Sequence, residues 1–243
     1  MQPGSLRNAY LDALGIDRWV PRNAPAEITA APVAIPIAPT VAPTMAPVTP
    51  RIELAEDLSA LREQVAACTA CSLCKTRTQT VFGVGNTRAD WLVVGEAPGA
   101  EEDRQGEPFV GAAGQLLNKM LLAIGQPRET VFIANILKCR PPGNRDPKPE
   151  EIAQCLPFLS QQVALLKPKI MLAVGRIAAQ NLLATDAPLA RLRGKLHRFG
   201  AAGTPLVITY HPAYLLRTPS DKRKAWEDLK LARVTHARIM AGT

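Results

Sequence analysis

Five cysteines are the side chains in this sequence whose spacing points most directly to a chemical site. Cys68, Cys71 and Cys74 form a C-x2-C-x2-C run, whereas Cys139 and Cys155 stand alone further along the chain. A structural zinc site usually has two close pairs of ligands, and this second pair is too widely spaced for a ribbon or a finger. Close spacing combined with remote cysteines suits an iron-sulfur cluster, whose larger cage accepts thiolates from separate elements. The spacing therefore favours an iron-sulfur cluster over zinc, and the alternative is that some of these cysteines are small buried residues.

The overall composition indicates one globular unit with a polyanionic partner. The chain has 243 residues, of which 47% are hydrophobic, which is enough for one well-buried domain with an appendage. Its net charge of +8 fits binding to nucleic acid, although a mild excess of basic residues also serves solubility. With no run of about 18 apolar residues and no secretory leader pattern, we expect a cytoplasmic protein without membrane contact. An odd number of cysteines in such a protein argues for metal ligation or redox chemistry rather than disulfides.

Proline and alanine dominate residues 21–50, where the recurring prolines remove helix donors and predict a semi-rigid linker. Before the linker, residues 1–20 contain an apolar stripe that predicts a short helix, which could dock on the core or on another protein. The alternative is a frayed helix without a partner. From residue 51 the composition becomes globular, so we expect the main domain to cover residues 51–243.

Short apolar runs alternate with amphipathic segments through the main domain, and this order predicts the fold class. We expect strands at WLVVGE, VFIANIL, KIMLAVG and PLVITYH, with helices between them. The apolar spacing also predicts a first helix over Leu54 to Ala66 and a last helix from Lys222 to Met240. The last helix is expected to carry apolar side chains on one side and basic ones on the other, the apolar ones being Trp226, Leu229, Ala232 and Val234. Strict alternation favours an α/β fold with a parallel sheet covered by helices on both faces. Because the ligand crevice of such a sheet lies beyond the carboxyl ends of its strands, the segments that follow the strands are expected to carry the chemistry.

Three long motifs carry a family resemblance: VVGEAPGAEEDRQGEPFVGAAGQLLNKML, FIANILKCRPPGNRDPKPEEIAQC and TYHPAYLLR. Together they resemble the family 4 uracil-DNA glycosylases, the iron-sulfur branch of that superfamily, over nearly all of residues 66–235. The resemblance implies a three-layer αβα sandwich with a central, mainly parallel four-stranded sheet. It also implies a monomeric enzyme of base excision repair, which flips uracil out of DNA and hydrolyses its N-glycosidic bond to leave an abasic site.

The resemblance also selects among the cysteines. Cys68, Cys71, Cys139 and Cys155 match the ligands of a 4Fe-4S cluster, and Cys74 is left as a spare at a position where the motif does not require cysteine. In this family the cluster is structural, because it ties the N-terminal part of the domain to the loop after the second strand.

The motif positions imply a set of base-binding residues. Phe109 is expected to stack on the base, and the amide of Asn135 complements N3–H and O4 of uracil while mismatching cytosine. Glu102 matches the position that crowds the methyl group of thymine. Gly95 and Ala97 are expected to line the same pocket. Without the motifs, the ordinary interpretations would be a core phenylalanine, a turn asparagine and a solvated carboxylate.

The catalytic groups implied by the resemblance follow the strands as well. His211 is expected to donate a hydrogen bond to uracil O2 as negative charge grows on the departing base. Other uracil glycosylases carry a water-activating aspartate in a G-Q-D-P-Y motif where GEAPG has Ala97, a loss that family 4 shares. Glu96 and Asn144 are therefore expected to orient the water.

Contacts to the DNA are expected from two loops. Leu215 matches the apolar wedge that fills the hole left by the flipped nucleotide, and Tyr214 and Leu216 could extend it. Basic and polar side chains for phosphate contacts follow in one loop and cluster in the RLRGKLHR segment: Arg217, Ser220, Lys222, Arg223, Arg191, Arg193 and Lys195. The alternative is that either loop is a solvated basic face.

Three other functions compete with this interpretation. A non-catalytic iron-sulfur DNA-binding or scaffold protein is disfavoured because Phe109, Asn135 and His211 are all present. A branch of the superfamily that links itself covalently to DNA carries a histidine-bearing insertion, which KCRPPGNRDP lacks. A nucleotide hydrolase with GEAPG as a phosphate cradle is disfavoured because no lysine and serine or threonine follow, as in a P-loop.

Overall fold

The structure is a computed structural model that describes residues 54–242, so the N-terminal peptide and the linker lie outside the described residues. The strands of this part of the chain are β1 (Val84–Gly85), β2 (Trp91–Gly95), β3 (Phe132–Asn135), β4 (Ile170–Val174), β5 (Leu196–Phe199) and β6 (Thr204–Thr209). The α-helices are α1 (Leu58–Ala67), α2 (Ala100–Gln105), α3 (Ala112–Ala123), α4 (Pro149–Leu166), α5 (Arg176–Leu182), α6 (Leu189–Leu192), α7 (Pro212–Arg217) and α8 (Lys222–Ala241). Short 3-10 helices cover Ser72–Lys75, Arg128–Thr130, Pro142–Asn144 and Pro219–Asp221.

The strands form one sheet in the order β1-β3-β2-β4-β6-β5. Its four central strands, β3, β2, β4 and β6, are parallel, as predicted from the four apolar runs. The two edge strands, β1 and β5, are antiparallel and extend the predicted four-stranded sheet to six strands. No pattern in the sequence predicted β1, which has two residues, and β5 begins inside the basic RLRGKLHR segment that was interpreted as a loop.

Two hydrophobic cores cover the two faces of the sheet, which confirms the α/β sandwich. Successive residues of β2 point to opposite faces, so Leu92 packs in one core and Val93 in the other. The first core contains residues of α1, α4 and α5, and the second contains residues of α3 and α8. The central strands β2, β3 and β4 are buried along their whole length, as expected for parallel strands covered on both faces.

Two helices differ from the sequence prediction. The apolar spacing predicted that the first helix begins at Leu54, but α1 begins at Leu58, because the carboxylate of Asp57 accepts the Ser59 and Ala60 N–H groups and caps the helix there. Helix α8 was expected to bury Trp226 and Val234 together with Leu229 and Ala232. Leu229 and Ala232 are buried, whereas Trp226 and Val234 are exposed. Within the described residues, no helix is long and apolar enough to cross a membrane.

Candidate active site

A crevice of about 440 Å³ lies beyond the carboxyl ends of the parallel strands, where the sequence placed the chemistry. The predicted residues that line it are Glu96, Ala97, Glu102, Phe109, Asn135, Asn144, His211 and Arg217. They come from the ends of β2, β3 and β6 and the segments that follow them, and the parallel direction of these strands brings their carboxyl ends to the same edge of the sheet. Gly95 lies behind the crevice and leaves room for it, since a Cβ there would lie 2.4 Å from Asn135 Oδ1 and 2.6 Å from Phe109 Cζ.

Phe109 forms one wall of the crevice, facing the imidazole of His211. The two ring centroids are 5.7 Å apart with an interplanar angle of 31°. The backbone of Phe109 has a φ of 56°, a left-handed conformation that bulky residues rarely adopt, so its surroundings must hold it. Arg128 does so by donating to the carbonyl oxygens of Pro108 at 2.7 Å and Phe109 at 3.3 Å. Gly114 lets the following helix approach, because a Cβ there would lie 1.8 Å from the Phe109 carbonyl oxygen.

Glu102 joins the loop after β2 to the loop that carries Phe109. One carboxylate oxygen accepts the Gly99 N–H at 3.1 Å, and the other accepts the N–H groups of Val110 at 3.0 Å and Gly111 at 3.2 Å. Hydrogen bonds of this kind, to an ionised acceptor, are stronger than those between neutral groups. The carboxylate therefore braces the Phe109 wall, a role that sequence reasoning did not assign to it.

Asn135 ends β3 with its side chain directed into the crevice. It is 2% exposed, and its Oδ1 is buried without a hydrogen-bond partner among the described residues. Because a buried polar atom without a partner costs about 1–3 kcal/mol, such an atom in a crevice indicates a ligand that supplies the missing donor.

His211 is neutral and presents one defined donor. Its Nδ1 accepts the Ala213 N–H at 3.2 Å as the N-cap of α7, so the proton of the neutral ring lies on Nε2. Burial, with a contribution from the nearby Arg217, lowers the pKa of His211 to about 4, and Glu102 opposes the change. The imidazole thus stays uncharged at neutral pH while keeping an Nε2–H group.

Glu96 and Asn144 lie on the side of the crevice formed by the loops after β2 and β3. Burial, together with the Asp146 carboxylate, raises the pKa of Glu96 to about 7, and Arg176 opposes the rise. Asp146 and Arg176 are themselves paired at 2.7 Å. Asn144 is exposed and accepts a hydrogen bond from Arg140 at 2.7 Å through its Oδ1. Glu96 is therefore a carboxyl group that titrates near neutral pH beside the crevice.

The premise for the Leu215 wedge was wrong, because this side chain is not exposed on a loop. Leu215 lies in α7, is 1% exposed and packs in the second core. Its neighbour Leu216 is 45% exposed and is the apolar side chain of α7 that faces solvent. Tyr214 stacks on Tyr210 with ring centroids 5.0 Å apart, and its hydroxyl donates to Asp221 at 2.6 Å.

The assignment of Arg193 to DNA binding also needs correction. Its guanidinium donates to both carboxylate oxygens of the buried Asp228, at 3.0 and 2.9 Å, and to the Lys224 carbonyl oxygen. Removing one partner of such a buried pair leaves an uncompensated charge, so Arg193 serves to anchor its loop on α8. Arg217, Ser220 and Lys222 are exposed, as phosphate contacts require.

All five cysteines line one small pocket on the side of the first core, and none of them forms a disulfide. Burial raises the pKa of Cys155 to about 12 and also raises those of Cys71 and Cys139. Arg77 lies beside the pocket and donates to Cys139 Sγ at 3.1 Å, and the Lys138 N–H donates to Cys155 Sγ at 3.2 Å. Sequence reasoning missed both basic residues, although Lys138 directly precedes Cys139.

The cysteine pocket differs from a single-ion site. A zinc ion lies about 2.3 Å from each thiolate, so its ligands must converge on one point. Among residues 54–242, no group of three or more histidine, cysteine or acidic side chains converges in that way. The pocket brings five thiols together, of which that of Cys139 is buried and the other four are partly buried.

Known proteins have sequences similar to this one over most of the described residues. Residues 82–230 match the family model of the uracil DNA glycosylase superfamily. The chain is 43% identical over 181 residues to the type-4 uracil-DNA glycosylase of Archaeoglobus fulgidus, which covers 72% of this chain and 91% of the relative. The type-4 uracil-DNA glycosylase of Pyrobaculum aerophilum is 44% identical, with 72% and 92% covered. That of Thermotoga maritima is 41% identical, with 75% and 95% covered.

Proposed function

This chain belongs to the uracil DNA glycosylase superfamily, as its motifs predicted, and from that premise we propose that it excises uracil from DNA by hydrolysing the N-glycosidic bond. The observation that carries the proposal is the unpartnered Oδ1 of Asn135, buried in a crevice beside an aromatic wall and a neutral histidine. A flipped pyrimidine needs an aromatic face to stack on, an amide that reads its edge and a hydrogen-bond donor for its carbonyl oxygen. All three groups occur in this one cavity.

The base is selected by Asn135 and Phe109. Uracil offers an N3–H donor to the free Oδ1 and an O4 acceptor to the amide NH₂, whereas cytosine offers an acceptor and a donor in these positions. Stacking on the Phe109 ring adds about 1–3 kcal/mol of binding. Gly95 leaves this slot open, and Glu102 holds its wall and stands where a thymine methyl group would approach.

His211 stabilises the leaving group. As the glycosidic bond breaks, negative charge grows on uracil, and the Nε2–H group of the neutral imidazole donates to O2. A donor of this kind in a site with little water contributes about 3–4 kcal/mol to the transition state. Its low pKa keeps the ring uncharged throughout the neutral range, and the hydrogen bond from the Ala213 N–H to Nδ1 keeps the proton on Nε2.

Glu96 and Asn144 orient the attacking water. Ala97 has no carboxylate to do so, and Glu96 is the neighbouring acid in the crevice, with a pKa of about 7 that suits proton transfer near neutral pH. The Asn144 amide lines the same side of the crevice, from the loop after β3, and can hold the same water molecule.

Cys68, Cys71, Cys139 and Cys155 would hold a 4Fe-4S cluster, with Cys74 as the spare thiol. Their pocket suits this group, because it collects thiols from the segment after α1, the loop after β3 and helix α4, and places Arg77 beside them. When bound, the cluster supplies a structural cross-link between these elements. Thiolates that bind metal lose their protons, which overcomes the raised thiol pKa values.

The proposed DNA contacts come from the exposed part of the chain around α7. We assign the wedge to Leu216 in place of Leu215, with Tyr214 beside it. Arg217, Ser220 and Lys222 follow as phosphate contacts, which position the duplex without reading its sequence. The monomeric state, the cytoplasmic location and a partner for residues 1–20 stay predictions.

The test uses protein purified without air and four oligonucleotides that differ only in one base: uracil, thymine, cytosine or hypoxanthine. We expect alkali to cleave the uracil strand after incubation and to leave the thymine and cytosine strands intact. The Asn135→Ala variant is expected to lose most of this activity, because the amide that reads N3 and O4 is gone. Intact uracil strands with the unmodified, iron-loaded protein would contradict the proposed function.

A further inference from the structure

Arg193, Tyr210 and Tyr214 form a stack of side chains next to His211. The guanidinium carbon of Arg193 lies 5.1 Å from the centroid of the Tyr210 ring. The Tyr210 ring in turn stacks on that of Tyr214, with centroids 5.0 Å apart and an interplanar angle of 20°. Contacts between a cation and an aromatic face, and between two aromatic rings, are favourable beyond the area that they bury. The three side chains therefore hold one another in a fixed order.

The Arg193 end of the stack is anchored on helix α8. The guanidinium donates to both carboxylate oxygens of Asp228, at 3.0 and 2.9 Å, and the Gly194 N–H donates to Asp228 Oδ1 at 3.1 Å. The Asp228 side chain is fully buried and that of Arg193 is 16% exposed, so solvent screens this pair little. A bidentate pair fixes the plane of the guanidinium as well as its position. The pair therefore keeps the guanidinium against the Tyr210 ring.

The Tyr214 end of the stack is anchored just before α8. The Tyr214 hydroxyl donates to Asp221 Oδ2 at 2.6 Å, and Lys224 Nζ lies 2.9 Å from Asp221 Oδ1. Asp221 is the last residue of the 3-10 helix that leads into α8. Both ends of the stack are thus held by carboxylates from the same part of the chain, Asp221 and Asp228.

His211 lies in the chain between the two stacked tyrosines. Tyr210 directly precedes it, and Tyr214 lies in the first turn of α7, which His211 caps. The His211 carbonyl oxygen accepts the Tyr214 N–H at 2.9 Å. A displacement of either tyrosine would therefore move the main chain that carries the imidazole. An error of about 1 Å in the placement of a catalytic group is enough to lower a rate about 100-fold.

We propose that the stack of Arg193, Tyr210 and Tyr214 positions His211 for its hydrogen bond to the departing base. Arg193 is a positioning residue, since it acts through Tyr210 and lies outside the set of residues that line the crevice. The Arg193–Asp228 pair thereby supports catalysis in addition to holding its own loop on α8. This inference rests on the proposed function, because it assumes that His211 stabilises the leaving group.

The experiment measures single-turnover uracil release by two variants that disturb different parts of the stack. Tyr210→Leu removes the middle ring and leaves the Arg193–Asp228 pair in place. Arg193→Lys keeps a positive charge beside Asp228 but loses the planar, bidentate group that contacts Tyr210. Each variant is expected to slow release by about tenfold to about 100-fold. The conservative variant Tyr210→Phe keeps the stacking ring and should stay within about threefold of the unmodified rate.

The affinity for DNA separates positioning from binding. It is measured with an oligonucleotide that carries 2′-fluoro-2′-deoxyuridine, which resists cleavage. We expect the affinities of Tyr210→Leu and Arg193→Lys to stay within about threefold of the original, because His211 acts on the transition state rather than on the bound substrate. A loss of affinity at an unchanged rate would overturn the inference and assign the tyrosines to DNA binding.

The sharpest comparison places Tyr210→Leu in a His211→Ala background, with Arg193→Lys in its place if Tyr210→Leu fails to fold. Because the stack acts through His211, its loss should slow release by less than about twofold once the imidazole is gone. Equal slowing in both backgrounds would indicate general structural support and would overturn the inference, as would unchanged rates in both single variants. The proposed function would fail differently, as unmodified protein that releases no uracil or releases it no faster than His211→Ala.

Discussion

At the scale of single residues, the site combines a histidine that stays neutral with a carboxyl group that titrates near neutrality. Burial causes both effects, because it disfavours the charged form of each group. It lowers the pKa of His211 to about 4 and raises that of Glu96 to about 7. The histidine therefore serves as a hydrogen-bond donor rather than as an acid, and the carboxylate is the group whose protonation state should control the reaction.

This difference predicts the pH dependence of excision. In the proposed mechanism Glu96 acts on water as a carboxylate, so the single-turnover rate should fall about tenfold per unit of pH below its pKa and level off above it. His211 does not change protonation in this range. In Glu96→Gln the rate should be low and independent of pH, as measured from about pH 5 to about pH 9. A pH-independent rate in the unmodified protein, or the same rise with pH in Glu96→Gln, would argue against this role.

At the scale of secondary-structure elements, the conformation of the loops that follow the strands depends on contacts between one loop and another. Glu102 illustrates this, because its three backbone hydrogen bonds connect the loop after β2 with the Phe109 wall. The motif alone suggested only its effect on thymine. The bonds exist only once Val110 and Gly111 have folded back towards α2, so no local pattern could have revealed them.

The bracing role predicts the behaviour of Glu102→Gln. Glutamine keeps the shape of the side chain, but it has one acceptor oxygen in place of the two that accept the three N–H groups. We expect the free energy of unfolding to fall by about 1–3 kcal/mol and uracil excision to slow, because the Phe109 wall loosens. Chemical denaturation and single-turnover kinetics measure the two effects. If Glu102 acted only against thymine, uracil excision and stability would stay unchanged and thymine excision would appear.

Two adjacent leucines of helix α7 differ in burial, and this difference predicts opposite effects when each is replaced by alanine. Leu215→Ala should lower the free energy of unfolding by about 2–5 kcal/mol, because it leaves a cavity in the second core. Leu216→Ala should leave stability within about 0.5 kcal/mol but slow excision from duplex DNA about tenfold. Single-stranded substrate has no hole to fill and serves as the control. Equal slowing on both substrates would show that Leu216 is not a wedge.

At the scale of the whole molecule, the sequence predicts most of the sheet and the place of the site. Four buried apolar runs were enough to identify the central parallel strands, and parallel strands necessarily bring their following loops to one edge. The sequence could not reveal which side of α7 faces the core, or that Arg193 pairs with Asp228 on a helix 35 residues away. Both depend on packing between elements that are distant in sequence.

The cysteines bear on the whole domain, because they belong to elements far apart in the chain. We expect serine at Cys68, Cys71, Cys139 or Cys155 to abolish iron binding and to lower the melting temperature, since metal binding contributes to folding. Cys74→Ser is the matched control within the same pocket and should retain iron. The iron content of each variant measures the loss of binding, and its thermal unfolding measures the loss of stability. Loss of iron in Cys74→Ser with retention in Cys68→Ser would reassign the ligands.

The most direct test of the central claim is the single-turnover rate of free uracil release from a uracil-containing duplex, compared between the unmodified protein and His211→Ala. Mass spectrometry of the released base avoids any dependence on strand cleavage. Removing one such donor should lower the rate by about 10²–10³-fold, while the iron content and the thermal unfolding of the variant stay unchanged. Equal rates of uracil release by the two proteins, or no release by either, would contradict the account.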